Sequence, residues 1–267
     1  MCPPAPDSTT RFSNRVEAYV KYRPSYPREL LAGLAEDVGL RPSDTLADIG
    51  SGTGISSQLF LEHGNSVVGV EPNDAMRAAG DKFLAQYPAF CSLKGTAEAT
   101  GLANRSVDGV VAGQAFHWFD PPQARAEFQR ILKEEPAGRT GGAGGWIALI
   151  WNSRPPDGTP FLLAYEKLVA AFGTDYNAIN HNATVTPAML KGFFGTGSFA
   201  KREYANRQIF DFDGLLGRVR SSSYMPEEAH PKYPAMVTAL HTLFDAQQRN
   251  GRVTFDYVTE VFAGRLG

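Results

Sequence analysis

Between Thr45 and Pro72 a short apolar run, TLADI, breaks into a string of glycines at 50, 52 and 54, and the chain returns through a helical segment to a second apolar run that ends in an acid. No other stretch limits the possible folds as much. After the glycines, Ile55, Leu59 and Phe60 share one side of a helix that closes at His63 and Gly64, a cation in the last turn with a glycine stop beyond it. Ser66-Val67-Val68-Gly69-Val70 is β-branched and apolar enough for a buried parallel strand, and Glu71 stands at its tip. Strand, tight loop, helix, strand and acid make one βαβ unit whose ligand site lies at the carboxyl edge of the sheet.

The glycines have a mechanical reason. A chain turning from strand into helix beside a ligand needs positive φ angles and no side chain between backbone and guest. The amino end of the helix then favours an anionic group by about 0.3 to 1 kcal/mol at an exposed site. Glu71 is 23 residues beyond Asp48, where a carboxylate at a second strand tip accepts hydrogen bonds from both hydroxyls of a ribose. The unit asks for a nucleoside with an anionic tail. A dinucleotide fold wants G-x-G-x-x-G, but after Gly50 and Gly52 the third position of that pattern is Ile55 and the glycine falls at 54. A nicotinamide-dependent oxidoreductase is the reading this spacing disfavours.

DIGSGTG (48–54) resembles motif I of class I S-adenosylmethionine-dependent methyltransferases, and VVGVEP (67–72) resembles their acidic second motif. FSNRVEAYVKYRPSYP, with two prolines that end one helix and start the next, is similar to the amino-terminal helix of the small-molecule "type 11" group, including its trans-aconitate methyltransferase-like members. The resemblance implies an α/β fold with a doubly wound, seven-stranded, mostly parallel sheet, the last strand antiparallel, and helical lid insertions. It implies S-adenosyl-L-methionine as cofactor, S-adenosyl-L-homocysteine as product, and transfer to a small-molecule acceptor by O-methylation of a carboxylic acid or related metabolite. A module that binds the cofactor without transfer is the remaining alternative. Carried onto this chain, the cofactor residues are Tyr19, Arg23, Asp48, Gly50, Ser51, Gly52, Glu71, Pro72, Met76, Thr96, Ala97, Glu98, Gln114, Ala115 and Phe116. Many relatives have Asp where Thr96 stands, so this chain departs from their pattern at the acidic contact to the adenine, and Glu98 reads equally as a surface charge.

Elsewhere the sequence supplies acceptor candidates. The fourth strand, 106–113, ends in Gln114-Ala115-Phe116-His117-Trp118-Phe119, an aromatic tip whose His117 is of the residue type that serves as a general base. Asp120-Pro121-Pro122 resembles the D-P-P-[YFW] box of nucleic-acid amino-methyltransferases but stands six residues late; it reads as the N-cap and first turn of a helix through Phe128 and Leu132. The glycine-rich stretch 138–145 precedes a fifth strand, 146–152, placing Trp151 at the catalytic edge to cover the acceptor. A helix near 161–172, a sixth strand at 203–212 and a seventh at 253–262 complete the pattern. Segments 186–194 and 213–250 read as lids over the acceptor, with Arg218, Arg220, Ser222 and Tyr224 available to hold an acid.

Composition bounds the rest. The 267 residues, 43% hydrophobic, suffice for a single domain over 11–267, with cap helices over 11–40 and a loose tail over 1–10. A net charge of −2 supplies no phosphate-seeking surface, against nucleic acid as partner. No apolar run approaches the ~18 residues of a spanning helix, and the first residues are no signal peptide, so a cytoplasmic protein is expected. Cys2 and Cys91 make no disulfide framework, and with five scattered histidines they show no metal spacing.

Overall fold

The computed structural model describes residues 15–134, 144–174 and 185–267. The expected tail over 1–10, the start of the first helix at Arg11 and Phe12, and most of the glycine-rich stretch lie outside the described residues. Two helices lead in: α1 (Val16–Tyr22) stops where Arg23 turns extended before Pro24, and α2 (Glu29–Val38) closes on the left-handed Gly39. The βαβ unit follows as β1 (Thr45–Ile49), α3 (Ile55–His63) and β2 (Ser66–Val70). Then come α4 (Asp74–Phe83), capped by Asn73, β3 (Phe90–Leu93), β4 (Gly109–Gly113), a 3₁₀ turn (Phe116–Trp118) and α5 (Pro121–Ile131), capped by Asp120. The remainder is β5 (Trp146–Ser153), α6 (Pro160–Phe172), α7 (Pro187–Phe194), β6 (Phe199–Phe210), α8 (Phe212–Arg220), α9 (Tyr233–Gln247) and β7 (Val253–Gly264).

The seven strands form one sheet in the order β3-β2-β1-β4-β5-β7-β6, with β1 to β5 parallel and β7 antiparallel to both its neighbours. From β1 the chain winds outward to β3, then returns to β4 on the other side, so the strand order reverses between β1 and β4. Open α/β sheets bind ligands in the crevice beyond the carboxyl ends of the strands at such a reversal. β4 starts at Gly109, three residues later than expected, because Asp108 is drawn into the loop. Its carboxylate accepts from Thr45 N (2.8 Å) and pairs with Lys133.

Strand parity sorts the core into two layers. From β5, Ile147, Leu149 and Trp151 join Phe128 and Ile131 of α5 and Phe193 and Phe194 of α7 on one face. Trp146, Ala148 and Ile150 join Leu30 and Leu34 of α2 and Leu59 and Phe60 of α3 on the other. A third cluster packs α6, α8 and α9 against the far halves of β6 and β7 through Tyr165, Val169, Leu215, Met236, Leu240 and Phe255. Among the described residues no helix is long and apolar enough to cross a membrane.

Candidate active site

The glycine loop is held by β2. Gly50 N and Ser51 N donate to Val70 O (2.8 and 3.2 Å), and Gly50, Gly52 and Gly54 all adopt positive φ. A side chain at 50 is barred twice, because its Cβ would also lie 2.6 Å from Ala115 Cβ. Glu71, 7% exposed, accepts from Gly52 N through Oε2 (2.9 Å) and from Asn73 N through Oε1 (2.8 Å). Burial raises its carboxyl above the ordinary value, and the two backbone donors oppose that shift. Each carboxylate oxygen accepts more than one hydrogen bond, so both keep capacity for a ligand.

Two adjoining cavities open along this edge. The smaller, about 140 Å³, is lined by Glu71, Pro72, Met76, Thr96, Ala97 and Glu98, the tips of β2 and β3. The larger, about 320 Å³, lies against Ser51, Thr53, Ser56, His117 and Trp118 and continues to Arg154, Arg218 and Tyr224. Tyr19, Gly50, Gly52, Gly113, Gln114 and Trp118 line both, so one crevice runs across the β1/β4 reversal. Gln114 bends back here with φ +57, a conformation that costs a non-glycine residue of order 1 to 3 kcal/mol. Its amide donates to Asn152 O (3.1 Å), joining the tips of β4 and β5.

A nucleoside with a charged amino-acid tail fits these surroundings. The helix start at α3 has Gly54 as N-cap, a residue with no side chain to accept from the first amides. Among the described residues the buried Thr53 Oγ1 has no hydrogen-bond partner, and Thr53 borders the larger cavity. Met76 and Ala97 give the smaller cavity apolar walls, while Glu98 Oε1, accepting from Asp120 N (2.9 Å), gives it a polar corner.

Of the residues singled out in the sequence, Tyr19, Arg23, Gly50, Ser51, Gly52, Glu71, Pro72, Met76, Thr96, Ala97, Glu98, Gln114, Ala115, His117, Trp118 and Tyr224 line the crevice. Asp48, Phe116 and Trp151 do not. Asp48, 1% exposed, lies beneath the loop, where its Oδ2 accepts from Ser56 and Ser57 Oγ (2.6 Å each). It braces the first turn of α3 and lines neither cavity, and burial raises its pKa. Phe116, 1% exposed, points into the core, because a 3₁₀ turn sets successive side chains about 120° apart. Its ring meets Phe193 at 4.7 Å, while His117 and Trp118 take the crevice side. Trp151, also 1% exposed, packs edge-on against Phe116 and Phe262 and covers no acceptor. β5 runs to Ser153, so parity turns Trp151 to the core face and leaves Asn152 at the crevice.

The two expected lids separate. Segment 186–194 buries Leu190, Phe193 and Phe194 in the core and lines neither cavity. From 213–250, only Arg218, Ser223 and Tyr224 reach the larger cavity, while α9 packs on α6. Arg220 faces away and pairs with Glu228. Sequence reading missed Tyr26, Thr53, Asn152, Arg154 and Glu166. Arg154 and Glu166, joined as an ion pair, carried no local signal because they meet only when α6 folds back beside the end of β5.

The sheet order, the reversal point and the glycine loop define the Rossmann-like fold of methyltransferases. Residues 47–137 match the family model described as "Methyltransferase domain". The chain is 38% identical over 148 residues to an uncharacterized methyltransferase of Mycobacterium tuberculosis, covering 55% of this chain and 54% of that protein. It therefore spans about half the length of that relative. An uncharacterized methyltransferase of Schizosaccharomyces pombe is 24% identical over 254 residues, 94% of this chain and 95% of that one. A solved structure from Anaeromyxobacter dehalogenans, provisionally assigned as a type II methyltransferase, superposes with a TM-score of 0.64 at 21% identity, over 92% of this chain and 98% of that one. At that identity the likeness is one of fold.

Proposed function

We propose that this protein is an S-adenosylmethionine-dependent methyltransferase acting on a small-molecule acceptor, with O-methylation of a carboxylic acid or related metabolite as the finer reading. The observation that carries the first part is the crevice at the β1/β4 reversal, bounded by a side-chain-free loop at Gly50 and Gly52 and by the buried Glu71 with acceptor capacity to spare. The match over residues 47–137 supports it. The finer part rests on the resemblance of the amino-terminal helix to the trans-aconitate methyltransferase-like group. The near-neutral charge of −2 favours a small acceptor over nucleic acid, and a cytoplasmic setting belongs to the same proposal.

When bound, the cofactor supplies a methyl group already activated as a sulfonium substituent, open to in-line displacement. The chain contributes position and dryness. Glu71 accepts from the ribose hydroxyls, Met76, Thr96, Ala97 and Glu98 surround the base, and the Gly50–Gly52 loop with Tyr19 and Arg23 holds the amino-acid end. Asp48 keeps α3 in place from below. Trp118 and His117 line the larger cavity, and in this reading His117 would take a proton from an acceptor that arrives protonated. Holding acceptor and donor in line supplies on the order of 7 to 11 kcal/mol in favourable cases.

Isothermal titration with S-adenosylhomocysteine, followed by a metabolite screen with methyl-labelled donor, tests the proposal. Binding together with label transfer to a small molecule is expected. Binding of a nicotinamide dinucleotide in its place, or binding without transfer to any acceptor, would replace it.

A further inference from the structure

The end of the larger cavity farthest from the glycine loop is walled by Arg154, Glu166, Arg218, Ser223 and Tyr224. Arg154 is neutralised by its ion pair with Glu166. Arg218 is not: it is 3% exposed and, among the described residues, has no carboxylate partner. Its Nε donates to Tyr257 Oη (3.0 Å) and its Nη1 to Ser222 Oγ (2.9 Å), and the rings of Phe255 and Tyr257 lie 5.5 and 5.9 Å from its guanidinium. Its Nη2 makes no hydrogen bond to a described residue. Arg23, at the same cavity, also has no carboxylate partner among the described residues; its Nη2 donates to Ser221 O (2.9 Å), and its buried Nε has no partner among them. Burial and the proximity of Arg218 both lower the Arg23 pKa, as expected of two cations sharing one dry space.

A buried guanidinium among neutral hydroxyls and rings recovers only part of the hydration it gave up, and a counter-ion recovers far more. A planar fork of donors facing a cavity matches a carboxylate or phosphoryl group. Tyr224, at the same cavity, responds to these cations: burial raises its phenol, but Arg154, Arg218 and Arg23 outweigh burial and bring it down to about 8. The same three cations, with Glu166, Ser222, Tyr165 and Tyr257, are the charged and titratable groups around that hydroxyl.

We infer that the methyl acceptor carries an anionic group, carboxylate or phosphoryl, seated against Arg218 and Tyr224, and that this group is an anchor distinct from the atom that is methylated. The inference rests on the methyl-transfer reading and narrows its acceptor class. For a carboxylate, anchor and nucleophile must differ because methylating it would erase its charge and leave Arg218 without a counter-ion in the product complex; a phosphomonoester would keep one charge but lose part of its attraction to the guanidinium. For a carboxylic-acid acceptor this means a second acidic group.

The test is isothermal titration of the protein saturated with S-adenosylhomocysteine, using succinate, citrate and inorganic phosphate, with succinamide as the neutral control. Arg218→Gln, Arg218→Lys and the outward-facing Arg220→Gln are titrated alongside. The acids bind the wild type and succinamide does not; affinity falls about tenfold or more in Arg218→Gln, recovers in part in Arg218→Lys, and stays within about threefold in Arg220→Gln. Bound acid also lowers tyrosinate absorbance near pH 8, because a new anion beside Tyr224 raises its pKa. Binding of phosphate alone assigns the anchor to a phosphoryl group. If Arg218→Gln does not fold, the acid-over-amide preference of the wild type decides. Succinamide bound as tightly as succinate, no anion bound by a protein that binds S-adenosylhomocysteine, or an Arg218→Gln variant with wild-type affinity each overturns the inference. Acids bound without S-adenosylhomocysteine affinity would keep the anion site and remove the methyl-transfer reading.

Discussion

Glu71→Gln separates the two tasks the structure gives this carboxylate, because the amide keeps the shape and one acceptor oxygen while losing the charge. In the free protein the two Glu71 oxygens take the backbone N–H groups of Gly52 and Asn73. The amide can serve one and must turn an NH₂ toward the other, a loss of about 1 to 3 kcal/mol for a buried donor left unpaired. Against this stands relief of a buried charge. The Glu71 carboxyl is raised from 4.5 in the folded protein, so its contribution to stability is present below pH 4.5 and lost as pH rises through the folded value. At neutral pH the ionised form is the costly one, and the two effects offset to within about 1 to 2 kcal/mol. Donor binding has no such offset. Replacing charge-assisted bonds to the ribose hydroxyls with one neutral acceptor loses about 1.5 to 3 kcal/mol, roughly 10- to 100-fold in affinity. Titration calorimetry with S-adenosylhomocysteine, beside thermal unfolding of the free protein, measures both. A folded variant whose affinity stays within about threefold of wild type would refute the ribose role and the reasoning behind it.

Two further outcomes follow from carboxyls elsewhere. Asp48 is raised from 3.8 by burial, so its stability contribution also belongs to low pH; Asp48→Asn removes the buried charge but sets an NH₂ where Oδ1 has no partner among the described residues, so at neutral pH the two effects should offset to within about 1 to 2 kcal/mol, while the wild type's pH dependence above pH 3.8 is lost in denaturant titrations. Glu127 is the opposite case: Arg130 (2.7 Å) and Thr100 (N 2.8 Å, Oγ1 2.6 Å) outweigh burial and bring its carboxyl down to about 2. Its contribution is present above pH 4.5 and lost as pH falls toward 2, so Glu127→Gln should cost about 1 to 3 kcal/mol near neutrality and progressively less across that window. An unchanged pH profile in either variant would show that the partners, not the charge, set stability there.

What the sequence by itself determined is what short-range chemistry controls. Glycines at 50, 52 and 54 can turn the chain with positive φ, the β-branched run 66–70 can only be a buried strand, Asn73 and Asp120 cap the helices that follow them, and Glu71 must then stand at a strand tip beside the loop. These features rest on backbone angles and on neighbours a few residues away, so they are legible without coordinates. Tertiary structure alone decided which way the end residues face and which distant charges meet. Phe116 and Trp151 look alike in sequence to cavity-lining aromatics, yet a 3₁₀ turn and a longer β5 turn both into the core. Arg218 and Arg220 read alike in sequence, two cations at one helix end, until α8 packs against β6 and β7 and sets Arg218 beside Tyr257, 39 residues away in sequence. Whether a charge is solvated or stranded depends on packing partners far along the chain, and that long-range fact is the one a local pattern does not hold.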